Sequence, residues 1–156
     1  MDAIDLNIIE LLRGNARLSY AELARQVGLS APAVHERVGK LESSGVIRAY
    51  RAEIEPESIG LGVTALIEII EESAADTDDV LESFRAIPEI ESCYFMAGVE
   101  SFLLKARVGT IGELEALIVR LNRTPGVAST RTGIALSTKW ENRPQPVGTP
   151  PARADA

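Results

Sequence analysis

Three short capped segments of helical periodicity lie between glycine turns in the first fifty residues, and a strand–helix–Pro–strand pattern occurs twice in the remainder. Together these predict an α+β chain. Its first part reads as a winged helix-turn-helix and its second as a ferredoxin-like βαββαβ domain. The 156 residues allow one or two small domains. Hydrophobic residues at 46% and charged residues at 25% are an ordinary globular mix. Aromatics at 4% leave the core to Leu, Ile, Val and Ala. The expected division is a winged unit over 1–54, a hinge over 55–62, the ferredoxin-like domain over 63–143 and a disordered tail over 144–156. That tail carries Pro144, Pro146, Pro150 and Pro151 with few apolar residues.

The first helix is expected over 2–13. Ile4, Ile8, Leu11 and Leu12 form one stripe, Asp2 and Asp5 sit in the first turn where the helix dipole favours anions, and Gly14-Asn15 ends it. Ser19-Tyr20-Ala21-Glu22 is a capping box that opens a second helix, with Leu23, Ala24 and Val27 inward and Gly28 as its stop. Leu29 follows as a core plug. Ser30 caps the third helix, and Pro32 falls in the first turn, where a missing N–H costs nothing. Val34, Val38 and Leu41 make its buried stripe. A rotation of about 100° per residue puts Pro32, Glu36, Gly39, Lys40 and Ser43 opposite, flanked by Ala33 and His35. Arg37 lies nearer the buried side, where its stem can pack while its head reaches out. The helix ends at Gly45, and the alternating run Val46–Ile54 reads as a strand pair, or wing.

The stretch 55–62, with Pro56, Gly60 and Gly62, breaks the pattern as a hinge. A strand is expected over Val63–Ile70, a helix over Thr77–Ile87 with Val80, Leu81, Phe84 and Ile87 on one side, and a strand over Glu91–Met96. The second copy has a strand over Phe102–Val108 and a capping box at Thr110–Glu113. Its helix has Leu114, Leu117, Ile118 and Leu121 as the stripe, and its last strand runs from Val127 through Ile134 and Leu136. Pro88 and Pro125 occupy matching junctions. The topology gives a four-stranded antiparallel sheet with both helices on one face. The other face carries Thr64, Leu66 and Ile70 and reads as rather apolar, so self-association into a dimer is expected.

Several function classes are excluded by composition. A single cysteine, Cys93, and a single histidine, His35, rule out an internal disulfide and a His/Cys metal cage within one chain. No apolar run approaches the roughly 18 residues of a membrane span, and the start Met1-Asp2-Ala3-Ile4-Asp5 has no basic segment of a secretory signal, so a cytoplasmic, membrane-free protein is expected. Net charge is −7. Residues 25–51 nevertheless hold Arg25, Arg37, Lys40, Arg48 and Arg51 against only Glu36 and Glu42, a local surplus of three positive charges that leaves the rest of the chain at −10. This patch surrounds the outward face of the third helix, whose first residues Ser30, Ala31 and Ala33 are small enough to let its backbone approach a groove. Phosphates suit the surrounding cations. No Ser/His/Asp set, carboxylate dyad or phosphate loop is present, so no catalytic residue is assigned.

Three stretches together resemble the Lrp/AsnC (feast/famine) family of prokaryotic transcription factors. They are Asp5-x-x-Ile8-Ile9-x-x-Leu12, then Ala16-Arg17-x-Ser19-x-x-Glu22-Leu23-Ala24, and last Val27-Gly28-Leu29-Ser30-x-x-x-Val34-x-x-Arg37-Val38-x-x-Leu41-Glu42-x-x-Gly45-Val46-Ile47-x-x-Tyr50. The resemblance covers nearly the whole chain to about Pro144. It implies a DNA-binding N-terminal domain and a ligand-sensing C-terminal domain. It also implies dimers that assemble further, often to octamers, with a small-molecule effector, usually an amino acid, bound between dimers. No metal or cofactor is called for. The DNA-contacting candidates are Ser19, Tyr20, Arg25, Ser30, Ala31, Pro32, Ala33, His35, Glu36, Arg37, Lys40, Arg48 and Arg51. By the same resemblance the effector site is the loop Ala97-Gly98-Val99-Glu100-Ser101 facing Thr130 and Thr132 of a neighbour's last strand. Gly98 would admit the ligand to the backbone, Glu100 would pair with its ammonium and the threonine hydroxyls would meet its carboxylate. The loop departs from the family at Ser101, where aspartate is common, and at Phe102, where tyrosine is common.

Two alternatives stay open at the level of sequence. Siroheme decarboxylases resemble this family's fold, but they need histidine and arginine around a tetrapyrrole, and the second domain has no histidine. A helix-turn-helix can also dock only to protein. Cys93, in a strand, reads as a small core residue rather than a reactive thiol. Trp140, beyond the last strand, reads as a packing or subunit contact.

Overall fold

The computed structural model describes residues 1–148, and they form two compact units: Met1–Glu53 with the residues from Trp140 onward, and Ile54–Lys139. The expected tail over 144–156 falls largely outside the described residues. Within them, 144–148 have no regular structure.

The first unit has three helices: α1 (Ala3–Gly14), α2 (Tyr20–Val27) and α3 (Ala31–Ser43). Their starts are fixed by short side chains that satisfy orphan backbone donors. Asp2 caps α1, and the carboxylates of Asp2 and Asp5 each accept the other's backbone N–H at 2.9 Å, a reciprocal box that the sequence pattern did not suggest. Ser19 Oγ accepts the Glu22 N–H at 3.2 Å while Glu22 Oε2 accepts the Ser19 N–H at 2.7 Å. Ser30 caps α3 through the Ala33 N–H. Gly28 closes α2 at φ 72°, a left-handed conformation that suits glycine. Ile8, Leu12, Leu23, Ala24, Val34, Val38 and Leu41 form the core of this unit.

The wing does not form. Residues 46–55 run without helix or strand, and no hairpin closes there. The run alternates well enough for a strand, but the tight two-residue turn favoured in hairpins needs φ > 0 at its centre. Between Val46 and Ile54 the chain offers no glycine, asparagine or aspartate to make one.

The second unit begins with a single 3-10 turn, Pro56–Ile59. Then come β1 (Val63–Glu71), α4 (Thr77–Arg85), β2 (Ile90–Phe95), β3 (Phe102–Val108), α5 (Ile111–Asn122) and β4 (Val127–Ile134). All pairings are antiparallel, in the order β2-β3-β1-β4. Ala65, Ile67 and Ile69 of β1 lie opposite Ala106, Leu104 and Phe102 of β3, and these six residues meet Val80 and Phe84 of α4 and Leu114, Leu117 and Leu121 of α5 in the core. The rings of Phe84 and Phe102 meet edge to face at 5.5 Å.

Beyond shifts of one residue, two element ends and one cap differ from expectation. Helix α4 stops at Arg85 because Pro88 turns the preceding residue away from helical geometry, and Ile87 still buries just beyond it. Strand β4 stops at Ile134. The Ala135 N–H still donates to the Thr64 carbonyl at 2.9 Å, but Leu136 beyond it is 98% exposed. At α5, Thr110 Oγ1 takes the Glu113 N–H at 3.1 Å, but the Glu113 carboxylate reaches the Gly109 N–H at 2.9 Å instead of that of Thr110.

The open face of the sheet is more polar than the sequence suggested. Leu66 is 45% and Tyr94 54% exposed there. Between them stand Glu68 bonded to Arg131, and Glu91 bonded to Lys105 and Arg107 at 2.8 and 2.6 Å. Burial pushes the Glu91 carboxyl up, but its bonds to Lys105 and Arg107 outweigh this and leave it below the usual carboxylate range.

Candidate nucleic-acid interface and ligand loop

The buried stripe of α3 fixes which side faces out. With Val34, Val38 and Leu41 inward, Pro32, His35, Glu36, Gly39, Lys40 and Ser43 are all exposed, and Ala31 and Ala33 are half-buried at the rim. No side chain longer than proline stands on the first turn, so the helix end itself can enter a groove.

The polar residues of α3 differ sharply in what already holds them. Ser30 Oγ is used as a cap. Lys40 Nζ donates to Glu36 Oε1 at 2.6 Å, and this bond holds the Glu36 carboxyl below the usual range. Ser43 donates to the Lys40 carbonyl, and Glu42 accepts from Tyr50 Oη at 2.9 Å. Arg37 is a correction to the DNA-contacting set. Its Nη1 donates to Asp2 Oδ2 and Asp5 Oδ1, both at 2.7 Å, so its guanidinium fastens α3 to the start of α1 and is not presented outward. Its partners lie more than thirty residues upstream, which no local pattern reveals.

On α2, the Ser19 hydroxyl is taken up by Glu22 at 2.6 Å. Tyr20 lies beside α3, with its ring centroid 4.9 Å from that of His35 at an interplanar angle of 65°. Arg25 is exposed at the end of α2. Among the described residues no ion pair engages Arg25, Arg48 or Arg51. Arg48 and Arg51 sit on the extended segment with Arg13 of α1, around one groove of about 580 Å³ floored by Ile9, Leu12 and Ile47. Arg13 is missing from the sequence-derived set, although a basic residue in a last helical turn was a signal available to find it. Tyr50, quoted earlier only as part of a motif, proves to be a strut: partial burial and the bond to Glu42 push its phenol up to about 12.

In the second unit, the loop between β2 and β3 is pinned at its base. The Met96 N–H donates to the Ser101 carbonyl and the Ser101 N–H to the Ile69 carbonyl, both at 2.8 Å. Ala97, Gly98 and Val99 form its exposed tip. Glu100 Oε1 accepts from Arg131 Nη1 at 3.3 Å, and that guanidinium also meets Glu68 at 3.1 Å. Thr130 and Thr132 do not join Glu100 within one chain. They pair with Ile69 and Ile67, so they point to the helix side of the sheet, where Asn122 donates to Thr130 Oγ1 at 3.1 Å. Thr132 Oγ1 is buried with no hydrogen-bond partner. Among the described residues no group of acidic, histidine and cysteine side chains could hold a metal ion, and no helix is long and apolar enough to cross a membrane.

Comparison with known proteins fits both halves of this geometry. Residues 1–48 match the winged helix-turn-helix DNA-binding model, and residues 63–145 match the Lrp/AsnC ligand binding domain. The chain is 38% identical over 143 residues to the HTH-type transcriptional regulator LrpA of Mycobacterium tuberculosis, covering 92% of this chain and 95% of the relative. A feast or famine regulatory protein from M. tuberculosis, solved in complex with L-methionine, aligns with a TM-score of 0.88 at 38% identity over 94% of this chain and 99% of the other. A transcriptional regulator from Neisseria meningitidis, solved as an L-methionine complex, aligns at 0.85 and 30% identity over 90% of this chain and 93% of the other.

Proposed function

This chain belongs to the Lrp/AsnC family of helix-turn-helix transcriptional regulators, and from that premise we propose how it meets its DNA and its effector. Helix α3 enters the major groove with its outward face, Pro32 to Lys40, against the bases. Arg25, Arg48 and Arg51 hold phosphates, with Lys40 at the edge of the contact. The observation that carries this reading is the complete exposure of the α3 side opposite Val34, Val38 and Leu41. Residues 1–54 serve DNA binding, 55–62 act as a hinge, and 63–143 sense and assemble.

The effector is an amino acid. The solved relatives with L-methionine support this, as do the acidic, glycine-containing loop 97–101 and the idle hydroxyl of Thr132. Because Glu100 and the two threonines face opposite sides of the sheet in one chain, a site using all three draws them from different copies. Exposed Leu66 and Tyr94 on the open sheet face support dimerisation, which doubles the DNA contacts and multiplies affinity when both half-sites are engaged. Half-sites are then expected about one helical turn apart, or a multiple of it. An effector that binds between copies changes DNA binding by linkage.

The test is the double variant Lys40→Ala/Arg48→Ala. It should abolish retardation of operator DNA while sedimentation shows an unchanged oligomer. Retardation equal to that of the parent chain refutes the DNA assignment. A thermal-shift screen of the amino acids tests the effector, because a ligand bound only by the folded state raises the melting temperature.

A further inference from the structure

We infer that His35 is the side chain of α3 that reads base identity, at a guanine, and that Tyr20 is the residue that positions it. The inference rests on the DNA-binding reading above and deepens it. It starts from which polar groups of α3 are still free to make a base contact. Ser30 caps the helix, Glu36 and Lys40 hold each other, Arg37 is bound to Asp2 and Asp5, Glu42 holds Tyr50, Ser43 bonds to the Lys40 carbonyl and Ser44 to that of Leu41. Ala31, Pro32, Ala33 and Gly39 have no polar side-chain atom. Among the described residues, His35 alone of the polar side chains on α3 and its caps has neither a hydrogen bond nor an ion pair, and it is exposed on the outward face.

An imidazole in that position carries a ring N–H donor. In the major groove guanine offers two acceptors side by side, N7 and O6, whereas adenine and thymine offer one each, N7 and O4, and cytosine offers a donor. A single donor arriving from α3 therefore favours guanine. The small residues Ala31, Pro32 and Ala33 one turn earlier let the helix approach closely enough for so short a side chain to reach. Lys40, with one donor bound to Glu36, keeps its charge for a phosphate at the edge of the contact.

A lone histidine reads poorly if its ring turns freely. Here the Tyr20 ring packs against it edge to face, with centroids 4.9 Å apart. Tyr20 is the first residue of α2, held by the Ser19–Glu22 box immediately before it. The contact thus transmits the fixed start of α2 to the reading face of α3. Only the aromatic ring is used, so phenylalanine should serve as well.

The experiment uses the full chain and a pool of random duplexes, from which the wild-type protein selects its preferred site. Each half-site position is then varied through four bases, and binding is measured alongside an unrelated duplex over a range of salt. His35→Ala should flatten the preference for guanine at one position per half-site by about tenfold, with binding to the unrelated duplex and the salt slope unchanged. His35→Gln should move the preference at that position to adenine, which an amide can contact through N6 and N7. Tyr20→Phe should behave as the parent chain, and Tyr20→Ala should lose discrimination about two- to threefold at the same position only. A His35→Ala protein with unaltered base preferences, or with an equal loss on every duplex, overturns the inference. A Tyr20→Ala protein with full discrimination overturns the positioning role. If the wild-type chain binds no duplex at all, the DNA-binding reading fails with it. Selection of a site by the wild-type chain combined with an indifferent His35→Ala variant overturns the inference alone.

Discussion

The helical unit and the sheet unit hold their shapes by different means. Seven buried apolar residues, none larger than leucine or isoleucine, form the helical core, and short polar clasps supplement it: the Asp2–Asp5 box, the Ser19–Glu22 box, and Arg37 across Asp2 and Asp5. The sheet unit buries fourteen, including Phe84 and Phe102, against β1 and β3. Buried apolar area is the main source of stability, so the sheet unit carries the larger reserve. The helical unit has to keep one whole side of α3 for a partner, and its clasps compensate for the core that this exposure denies it.

The contrast is broken most severely in the cores. Phe84→Ala should cost about 3–5 kcal/mol and Leu23→Ala about 2–5 kcal/mol, by lost burial and the cavity left behind. Although the first loss is the larger, the second falls on the smaller core and should be the one that abolishes DNA retardation at 25 °C. Urea unfolding followed by circular dichroism, with retardation assayed in parallel, checks this. If Leu23→Ala retains full retardation, the helical unit has more reserve than its core suggests.

Turn glycines sharpen the comparison. Gly28 in the helical unit and Gly126 in the sheet unit both have positive φ, at 72° and 87°. A Cβ at Gly28 would meet nothing within 4 Å, whereas at Gly126 it would lie 2.6 Å from Val80 Cγ2 and 3.0 Å from Ala75 Cβ. Gly28→Ala should therefore cost about 1–2 kcal/mol for the backbone conformation alone. Gly126→Ala should add overpacking of about 1–3 kcal/mol to a similar conformational cost. Equal losses in the two variants, measured by thermal unfolding, would show that Val80 gives way freely.

The same contrast explains what was legible in the sequence. Caps, stripes and glycine stops are written within four or five residues of one another, so α1, α2 and α3 could be read almost to the residue. Strand identity and the βαββαβ order were legible through the matched prolines at 88 and 125. What depended on distant partners was not. Arg37 looked like a DNA contact until its bonds to Asp2 and Asp5 were seen, and the open sheet face looked apolar because Glu68, Arg131, Lys105 and Arg107 meet only after the strands pair. The direction of Thr130 and Thr132 follows from their register against Ile69 and Ile67, which is equally non-local. The wing failed for another reason: alternation was present, but no residue between Val46 and Ile54 could make its turn.

A smaller effect separates the clasps from the core by pH. The backbone N–H of Asp5, and then Arg37, hold the Asp2 carboxyl below its ordinary value of 3.8. A carboxylate with a depressed folded-state pKa contributes stability above its unfolded value, and that contribution disappears as pH falls through the folded one. Arg37→Ala should therefore lower the melting temperature slightly at pH 7, and the difference from the parent chain should shrink as pH drops below about 4. High salt should shrink it too, since the pair is partly exposed. A difference that persists at pH 2 assigns the role of Arg37 to packing of its stem.

The least effect is expected at alkaline pH, from the strut between the extended segment and α3. The chain has three tyrosines, Tyr20, Tyr50 and Tyr94. Partial burial, followed by the bond to Glu42, raises Tyr50 to about 12. A tyrosine whose folded pKa lies above the ordinary 10 keeps its stabilising contribution below pH 10 and loses it as pH climbs through 12. Ultraviolet titration of the folded chain should thus show a late phenol step near 12, and Tyr50→Phe should remove that step. Glu42→Gln should move the late step partway back, because burial remains while the carboxylate is gone. If the parent chain shows no such late step, Tyr50 does not brace the segment against α3, and the helical unit lacks one of the clasps that set it apart from the sheet.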